Sequence, residues 1–357
     1  MSWIKNTFLL LIVLLIMLVI MEVITRAIWG HPLEKKYKAA RVMLFESGDN
    51  FINIDRGFKY FPDKSIRSST YYIKSDNTVA KEYDYHINTN NLGLVQKKPI
   101  DVNETVDIFL GDSFTEGQGA EPWFYEFEND YDKFNKVVNG GLLGTGPLQW
   151  ELLANHLESE YLIRYNKVNV IMISQDVKRN IYNFSSKQLK CLRNQECEGI
   201  SGFYGYSFHG KTQQEIEKDV ENLYNQSKIT DFNYESFIKK SAFLFRAYLV
   251  IKNTFRFDSQ GGFSFNSITN ANLTSIKKLV NRGQLKGKVY LIPEKHEFTT
   301  NGNVQFNTLS NKVISWLENN NIKVVLCDDL LVSDYHVNDS HPNKKGYKKI
   351  RECVSSS

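Results

Sequence analysis

The sequence predicts an α/β protein, a three-layer α/β/α sandwich around a flavodoxin-like sheet of five parallel strands. Short runs of almost unbroken apolar residues recur along the chain, which is typical of strands buried on both faces. Stretches with helical spacing, such as 148–162 and 303–319, separate several of these runs, and this alternation favours a parallel sheet covered by helices. The five predicted strands lie at 106–111, 136–139, 168–174, 287–293 and 322–327.

Length and composition are enough for one large domain or for one domain with a sizeable insertion. The chain has 357 residues, of which 42% are hydrophobic, and this is enough for a sizeable core. The net charge of +4 is spread along the chain without a dominant basic block. We therefore expect no nucleic-acid partner, and the basic stretch Lys344–Lys349 is interpreted as a solvated helix face.

The N-terminal segment predicts a transmembrane signal anchor over residues 1–29. Residues 8–21 are unbroken apolar, and with their neighbours they reach the ~20 residues that a bilayer span needs. The competing interpretation is a cleaved signal peptide, but no small-x-small cleavage site follows the apolar run. By the positive-inside rule Lys5 favours an orientation with the short N-terminal side in the cytoplasm. Four later basic residues favour the opposite orientation: Arg26, Lys35, Lys36 and Lys38.

Four cysteines bear on the compartment: Cys191, Cys197, Cys327 and Cys353. An even number at local and strand-to-helix spacing suits two disulfides in an oxidising compartment. The alternative is four free thiols in a cytosolic enzyme. Together with the anchor, the cysteines favour a single-pass membrane protein with its main domain on the periplasmic or extracellular side.

Two further regions complete the predicted organisation. Residues 30–105 have β-type alternation and are expected to form an extension packed on the catalytic domain, which covers residues 106–357. Residues 181–265 interrupt the strand-helix alternation and are interpreted as an insertion or lid, with helical stretches around 213–227 and 234–255. Its aromatic run at 202–210 either stacks on sugar rings or forms the insertion's own core.

Candidate catalytic residues lie at both ends of the catalytic domain. The strand at 106–111 ends at a glycine, and Asp112 and Ser113 follow at the edge of the sheet where open α/β folds place their ligands. Asp339 and His341 come just before the last helical stretch. A serine becomes a nucleophile when a base takes its proton, and a carboxylate orients that base.

These residues resemble a known family. Gly-Asp-Ser-Phe at 111–114, with Asp and His near the C-terminus, is similar to the SGNH (GDSL-type) hydrolases. Residues 139–149 resemble the second block of that family, and Gly144 takes the place of its oxyanion-hole glycine. Residues 173–180 fall where the third block belongs. The resemblance covers roughly residues 87–353 and implies the SGNH hydrolase fold.

The third block departs from the family pattern. Its usual asparagine, whose side-chain amide completes the oxyanion hole, is replaced at the nearest position by Gln175. Glutamine offers the same donor on a longer stem, so the predicted oxyanion hole consists of Ser113, Gly144 and Gln175. Asn180 or a water molecule is the alternative third donor.

The spacing of the predicted Asp–His pair is also unusual. The family more often places its aspartate three residues before the histidine, where this chain has Asn338. In an extended segment, side chains two residues apart project to the same side, so Asp339 is predicted to orient His341. Asp334 is the reserve carboxylate, and His336 is the rival base.

The resemblance implies a serine hydrolase acting on carboxylic esters through an acyl-serine, with no metal or organic cofactor. Its expected partners are an ester substrate, such as an acylated envelope carbohydrate or lipid, and the membrane through the N-terminal helix. Two alternatives remain open at this point. The same residues can transfer an acyl group to a sugar hydroxyl of an extracellular polysaccharide, or the chain can be a glycan-binding envelope protein with a relic site.

Overall fold

The computed structural model describes residues 2–29, 39–74, 76, 78–130, 136–200, 202–227, 241–247 and 267–357. Its strands, numbered in chain order, are β1 Ala39–Glu46, β2 Phe51–Ile54, β3 Gly57–Tyr60, β4 Ser65–Lys74, β5 Val79–Asn88, β6 Thr105–Gly111, β7 Lys136–Gly141, β8 Arg164–Met172, β9 Phe203–Tyr206, β10 Val289–Leu291 and β11 Val324–Leu326.

The helices alternate with these strands through the second half of the chain. Numbered in the same way, they are α1 Ser2–Trp29, α2 Ser113–Glu116, α3 Phe124–Asp130, α4 Pro147–Tyr161, α5 Ser186–Asn194, α6 Gln213–Ser227, α7 Ser267–Val280, α8 Thr308–Asn319 and α9 Lys344–Ser355. A short helical segment at residues 242–247 lies between α6 and α7.

The central sheet confirms the predicted fold class. Its five strands run in the spatial order β11-β10-β8-β6-β7, and every neighbouring pair is parallel. Counted along the chain within this sheet, that order is 2-1-3-4-5, the flavodoxin-like arrangement. The strand order reverses between β6 and β8, so the carboxyl end of β6 is where such folds open a crevice for a ligand.

Helices cover both faces of this sheet, because successive strand residues point to opposite sides. Ile108 and Leu110 of β6 join a core with helices α4, α7 and α8, in which Trp150 is fully buried. Phe109, between them, joins the opposite core with α3 and α9, in which Tyr347 is buried. The three predicted layers are therefore present.

A second sheet stands beside the central one. It has the order β5-β4-β1-β9, with antiparallel pairs among β5, β4 and β1 and a parallel pair between β1 and β9. Strands β1, β4 and β5 of this sheet come from the predicted N-terminal extension, whereas β9 comes from the predicted insertion. The extension and the insertion are thus joined by backbone hydrogen bonds.

The aromatic run of the insertion packs mainly into protein. Tyr204 and Tyr206 on β9 are buried in a core with α6, while Phe203 is half-buried beside Phe45 and Phe184. His209 is exposed. Helix α6 matches the predicted stretch 213–227; most of the predicted stretch 234–255, and the end of the insertion, lie outside the described residues.

Helix α1 and the cysteines match the predicted apolar N-terminal helix and the predicted pair of disulfides. Residues Asn6–Ile28 form a helix long and apolar enough to cross a membrane. The cysteines form the disulfides Cys191–Cys197 and Cys327–Cys353. The second disulfide joins the end of β11 to α9, the helix that follows Asp339 and His341.

Candidate active site

Ser113 stands at the switch point of the central sheet, on the first residue of the short helix α2. A side chain at Gly111 would meet the Thr115 hydroxyl at 1.9 Å and the Ile171 carbonyl at 2.3 Å, so the strand can end there only with glycine. Asp112 then caps α2, since the N–H of Phe114 donates to its Oδ1 at 2.9 Å. This turn holds the Ser113 side chain at the floor of a cavity, with 4% of the residue exposed.

His341 and Asp339 complete a hydrogen-bonded series with this serine. The Ser113 Oγ lies 2.8 Å from Nε2 of His341, and Nδ1 of His341 lies 2.6 Å from Oδ1 of Asp339. The backbone N–H of His341 also donates to Oδ1, at 3.1 Å. The two-residue spacing is therefore enough to place carboxylate, imidazole and hydroxyl in line, which is the arrangement that activates a serine.

The second sheet, which we call the N-terminal sheet, contacts the other oxygen of the Asp339 carboxylate, Oδ2. Tyr72 on β4 and Tyr83 on β5 donate hydroxyl hydrogen bonds to Oδ2 of Asp339, at 3.1 and 3.0 Å. Nε of Arg41 on β1 lies 3.2 Å from the same oxygen. We call Arg41, Tyr72 and Tyr83 the donor clamp, and with it both oxygens of Asp339 are held from opposite sides.

The clamp and the histidine keep Asp339 ionised. Burial opposes ionisation of this carboxyl group, which is 3% exposed. The facing His341 and the positive charge of Arg41 outweigh that cost, and they hold the pKa of Asp339 well below its usual range. At neutral pH the site therefore contains a fixed negative charge behind the imidazole.

Gly144 lies in the loop between β7 and α4 and faces the same cavity as Ser113. Its φ of +71° belongs to the left-handed region that favours glycine. The loop is braced by Thr145, whose hydroxyl donates to the Leu142 carbonyl at 2.6 Å and accepts from the Trp150 indole at 2.9 Å. The structure thus brings Gly144 and Ser113 together, as an oxyanion hole requires.

Glu116, three residues after Ser113, holds the loop of Gly144 in place through a hydrogen bond. It is fully buried, and its Oε2 accepts hydrogen bonds from the Leu143 N–H at 2.7 Å and from the Tyr60 hydroxyl at 3.1 Å. Burial raises the pKa of Glu116 to about 8, although both donors act to lower it. The carboxyl group is therefore largely protonated at neutral pH.

We expect Glu116→Gln to remove a contribution to stability that is lost as pH rises. Between its unfolded pKa of about 4.3 and its folded pKa of about 8, Glu116 holds a proton that the unfolded chain releases, so its contribution to wild-type stability falls with pH across this window. Glutamine is neutral throughout. The difference in unfolding free energy between variant and wild type should grow by a few kcal/mol from pH 5 to 8.5, at about 1.4 kcal/mol per pKa unit.

Thermal unfolding of the full chain in detergent measures this difference. Glu121→Gln is the matched control because Glu121 is exposed, and its curve should run parallel to that of the wild type. A parallel curve for Glu116→Gln as well would show that Glu116 is already ionised at pH 5.

Gln175, the predicted third oxyanion donor, lies in the 3₁₀ turn Ser174–Lys178 and is half-buried. It is not among the described residues that line the cavity of Ser113, and its role as a donor stays a prediction. Arg179, which directly follows this turn, does line the cavity, and the alternative donor Asn180 is exposed.

The rival residues for the other roles are engaged elsewhere. Nε2 of His336 contacts the Gly119 carbonyl oxygen at 2.8 Å. Asp334 forms an ion pair with Lys349 at 2.7 Å. Asn338 binds the carboxylate of Glu82 on the surface, through its backbone N–H and its side-chain amide. The structure brings none of the three within contact of Ser113 in the described part of the chain.

The cavity in front of Ser113 has a volume of about 370 Å³. Its lining combines Ser113 and His341, the loop of Gly144, and residues of the N-terminal extension and the insertion. The described lining residues are Arg41, Met43, Ser113, Phe114, Gln118, Leu143, Gly144, Ile173, Arg179, Tyr182, Gly202, Phe203, Ser340 and His341.

Comparisons with solved structures find proteins of the same kind that the sequence blocks resemble. One is described as lipolytic and of the G-D-S-L family, from Desulfitobacterium hafniense DCB-2. It is 14% identical with a TM-score of 0.28, and the match covers 71% of this chain and 98% of that one. Another is a lipase/acylhydrolase from Enterococcus faecalis, 12% identical with a TM-score of 0.31, over 71% and 94% of the two chains.

No protein-family model matches the sequence, and no curated protein matches it. The functional assignment below therefore depends on the geometry of the site.

Four residues of the site escaped the sequence analysis: Arg41, Tyr72, Tyr83 and Arg179. Three of them, Arg41, Tyr72 and Tyr83, lie on strands of a separate sheet, more than 250 residues before Asp339. The only sequence signal was the polar alternation of the N-terminal strands, which indicates a sheet but not what its side chains contact. Arg179 lies inside the third block, where the family pattern predicts an amide rather than a cation.

Proposed function

We propose that this chain is a serine esterase of the GDSL type, acting on ester-linked acyl groups through an acyl-serine. The observation that carries the proposal is the unbroken series from Ser113 Oγ through His341 to Asp339, with links of 2.8 and 2.6 Å. A buried serine paired with a histidine that is itself paired with a carboxylate is the arrangement for nucleophilic attack on a carbonyl.

In the first half of the reaction Ser113 Oγ bonds to the ester carbonyl carbon while its proton passes to Nε2 of His341. The carbonyl π electrons move onto oxygen, and the N–H groups of Ser113 and Gly144 stabilise that charge. When the oxyanion collapses, the carbon–oxygen bond to the alcohol breaks and His341 gives its proton to the leaving oxygen. The acyl group is then bonded to Ser113.

In the second half His341 takes a proton from water, and the resulting hydroxide equivalent attacks the acyl carbon. Collapse of the second tetrahedral intermediate breaks the bond to Ser113 Oγ, which recovers its proton from His341. Asp339 stays ionised throughout and stabilises the imidazolium that forms in each half. Each cycle consumes one ester and one water and releases an acid and an alcohol.

The proposed place of this reaction is the outer side of a bacterial inner membrane. Helix α1 supports a single membrane span, and the two disulfides support an oxidising compartment. We propose acylated carbohydrate or lipid of the envelope as the substrate, because these are the ester-bearing molecules within reach of a domain tethered there.

A second candidate function is transfer of the acyl group to a sugar hydroxyl of an extracellular polysaccharide. A polar cavity of about 410 Å³ adjoins the first and shares Arg41 and Ser340 with it; its other lining residues are Tyr72, Lys295, His296, Asn338 and Asp339. Such a cavity offers hydrogen-bonding room for an acceptor beside the acyl-serine. Adding an acceptor glycan and following the acyl group separates transfer from hydrolysis.

The proposal is tested by the intact mass of the full chain in detergent after brief exposure to an activated acetyl ester. We expect an added acetyl group or catalysed ester loss with the wild type, and neither with Ser113→Ala. Ser340→Ala is the matched control for the labelled position, because Ser340 lies in the same cavity, and its adduct should persist. A wild type that neither gains the group nor turns over would overturn the esterase assignment in favour of a binding protein with a relic site.

A further inference from the structure

Arg179 occupies the place in which the oxyanion hole lacks an amide. It directly follows the 3₁₀ turn after β8, and its side chain lines the cavity that holds Ser113 and Gly144. Its exposed fraction of 29% shows that the guanidinium group is neither buried in the core nor extended into solvent. A cation is therefore held at the cavity wall, where the sequence predicts a neutral donor.

The guanidinium group is anchored from behind by three contacts. Its Nη1 lies 3.0 Å from Oδ2 of Asp112 and donates to the Thr145 carbonyl at 2.9 Å. Its Nε lies 3.2 Å from Oδ1 of Asp176. Both acidic side chains are fully buried. These contacts use Nε and Nη1, and none of the contacts described is made by Nη2, so Nη2 can donate to a group bound in the cavity that this side chain lines.

The anchors also place Arg179 between the two backbone donors of the oxyanion hole. Asp112 precedes Ser113, and its Oδ2 is 3.4 Å from the Ser113 Oγ as well as 3.0 Å from the guanidinium group. Thr145 follows Gly144, and Arg179 binds its carbonyl. The planar guanidinium group thus contacts the neighbour of Ser113 on one side and the neighbour of Gly144 on the other.

The charge of this group is available to a substrate. The described residues that line the cavity include no Asp or Glu, so Asp112 and Asp176, the two acidic side chains beside Arg179, lie outside its lining. A hydrogen bond from a cation to a developing oxyanion is shorter and about twice as strong as one between neutral groups. Because the guanidinium group is already held in place, little reorganisation is needed as the charge develops.

We propose that Arg179 is the third oxyanion donor of this site and acts by hydrogen bonding from Nη2. The inference rests on the proposed esterase function and adds to it a catalytic residue of a different chemical kind. As the Ser113 Oγ–carbon bond forms and the carbonyl π pair moves onto oxygen, Arg179 donates a hydrogen bond to that oxygen. Arg179 transfers no proton, so the balance of the reaction is unchanged.

The first test compares an ester with the matching thionoester, in which sulfur replaces the carbonyl oxygen, on the full chain in detergent. Removing one oxyanion donor typically costs about 10²–10³-fold in kcat. We expect Arg179→Met to lose about this much on the ester with little change in KM. The thionoester should lose far less, because sulfur accepts hydrogen bonds poorly. Lys178→Met, an exposed neighbour in the same turn, should behave as the wild type.

A purely structural role gives a different result. Arg179 braces Asp112 and Thr145, so its loss could displace the serine or the glycine loop. Such a displacement would lower turnover of the ester and the thionoester by the same factor. An unchanged ratio of the two rates would therefore overturn the inference.

The second test does not depend on how well the variant folds. A crystal structure of the wild type with a phosphonate bonded to Ser113 should place the phosphoryl oxygen within hydrogen-bonding distance of Gly144 N and Arg179 Nη2. An oxygen bound by the backbone donors alone would overturn the inference and leave the esterase intact. A wild type that forms no adduct and turns over no ester would overturn both.

Discussion

Replacing His341 with alanine is expected to lower kcat for ester hydrolysis by roughly four to six orders of magnitude. The Ser113 hydroxyl lies 2.8 Å from Nε2 of His341, and no other described base contacts it except the long 3.4 Å approach to Asp112. Without the imidazole the serine keeps its proton, and the leaving alcohol receives none. In enzymes built this way, loss of the histidine costs about as much as loss of the whole triad.

Steady-state kinetics on an acetyl ester measure this loss, with His336→Gln as the matched control. His336 is the other histidine of the same segment, but its ring packs on Tyr83 and contacts the Gly119 carbonyl. We expect its replacement to change kcat by less than about tenfold. If His336→Gln were as damaging as His341→Ala, the base of the reaction would have to be reassigned.

The sequence was sufficient for the fold because its strands are buried on both faces. Each central strand reads as a continuous apolar run, and a run such as 106–111 supplies Ile108 and Leu110 to one core and Phe109 to the other. The parallel sheet and its covering helices follow from that pattern and from the intervening helical spacing. The predicted strands match β6, β7, β8, β10 and β11.

The site was predictable only where local chain geometry determines it. Asp112 and Ser113 lie next to each other at a strand end, and Asp339 and His341 lie two residues apart, so their patterns are visible in the sequence. Residues that reach the site through tertiary structure leave no such pattern. Tyr72 and Tyr83 meet Asp339 only because the N-terminal sheet packs against the last loop.

Replacing Asp339 with asparagine is expected to lower kcat by about 10⁴-fold, for a reason specific to the donor clamp. Tyr83 accepts hydrogen bonds from Arg41 Nη2 and Gln118 Nε2, both at 2.8 Å, so its own hydrogen is committed to Oδ2 of Asp339. Arg41 Nε also faces Oδ2, so two groups that can only donate, Tyr83 and Arg41, point at this oxygen. Besides the imidazole ring, Oδ1 faces one such donor, the backbone N–H of His341.

In the Asp339→Asn variant the new side chain should therefore turn its oxygen towards the clamp and its amide towards Nδ1 of His341. That amide requires Nδ1 to accept, which puts the imidazole proton on Nε2, where it blocks removal of the Ser113 proton. Steady-state kcat of Asp339→Asn measures the loss. Asp334→Asn is the control, because Asp334 pairs with Lys349 away from the cavity.

A double-mutant cycle separates this explanation from a simple loss of charge. In a background carrying Arg41→Leu and Tyr83→Phe, both committed donors are gone. The remaining clamp residue, Tyr72, has a hydroxyl group that can accept as well as donate, so the introduced amide side chain is free to present its oxygen to His341. The penalty of Asp339→Asn should then shrink by at least about tenfold, although each background change lowers activity by itself. A penalty of the same size in both backgrounds would show that the negative charge of Asp339, rather than the tautomer that the clamp enforces, carries the effect. Among the contacts described, no group of the N-terminal sheet touches Ser113 directly. The cycle thus tests whether this sheet nevertheless determines which nitrogen of His341 carries the proton.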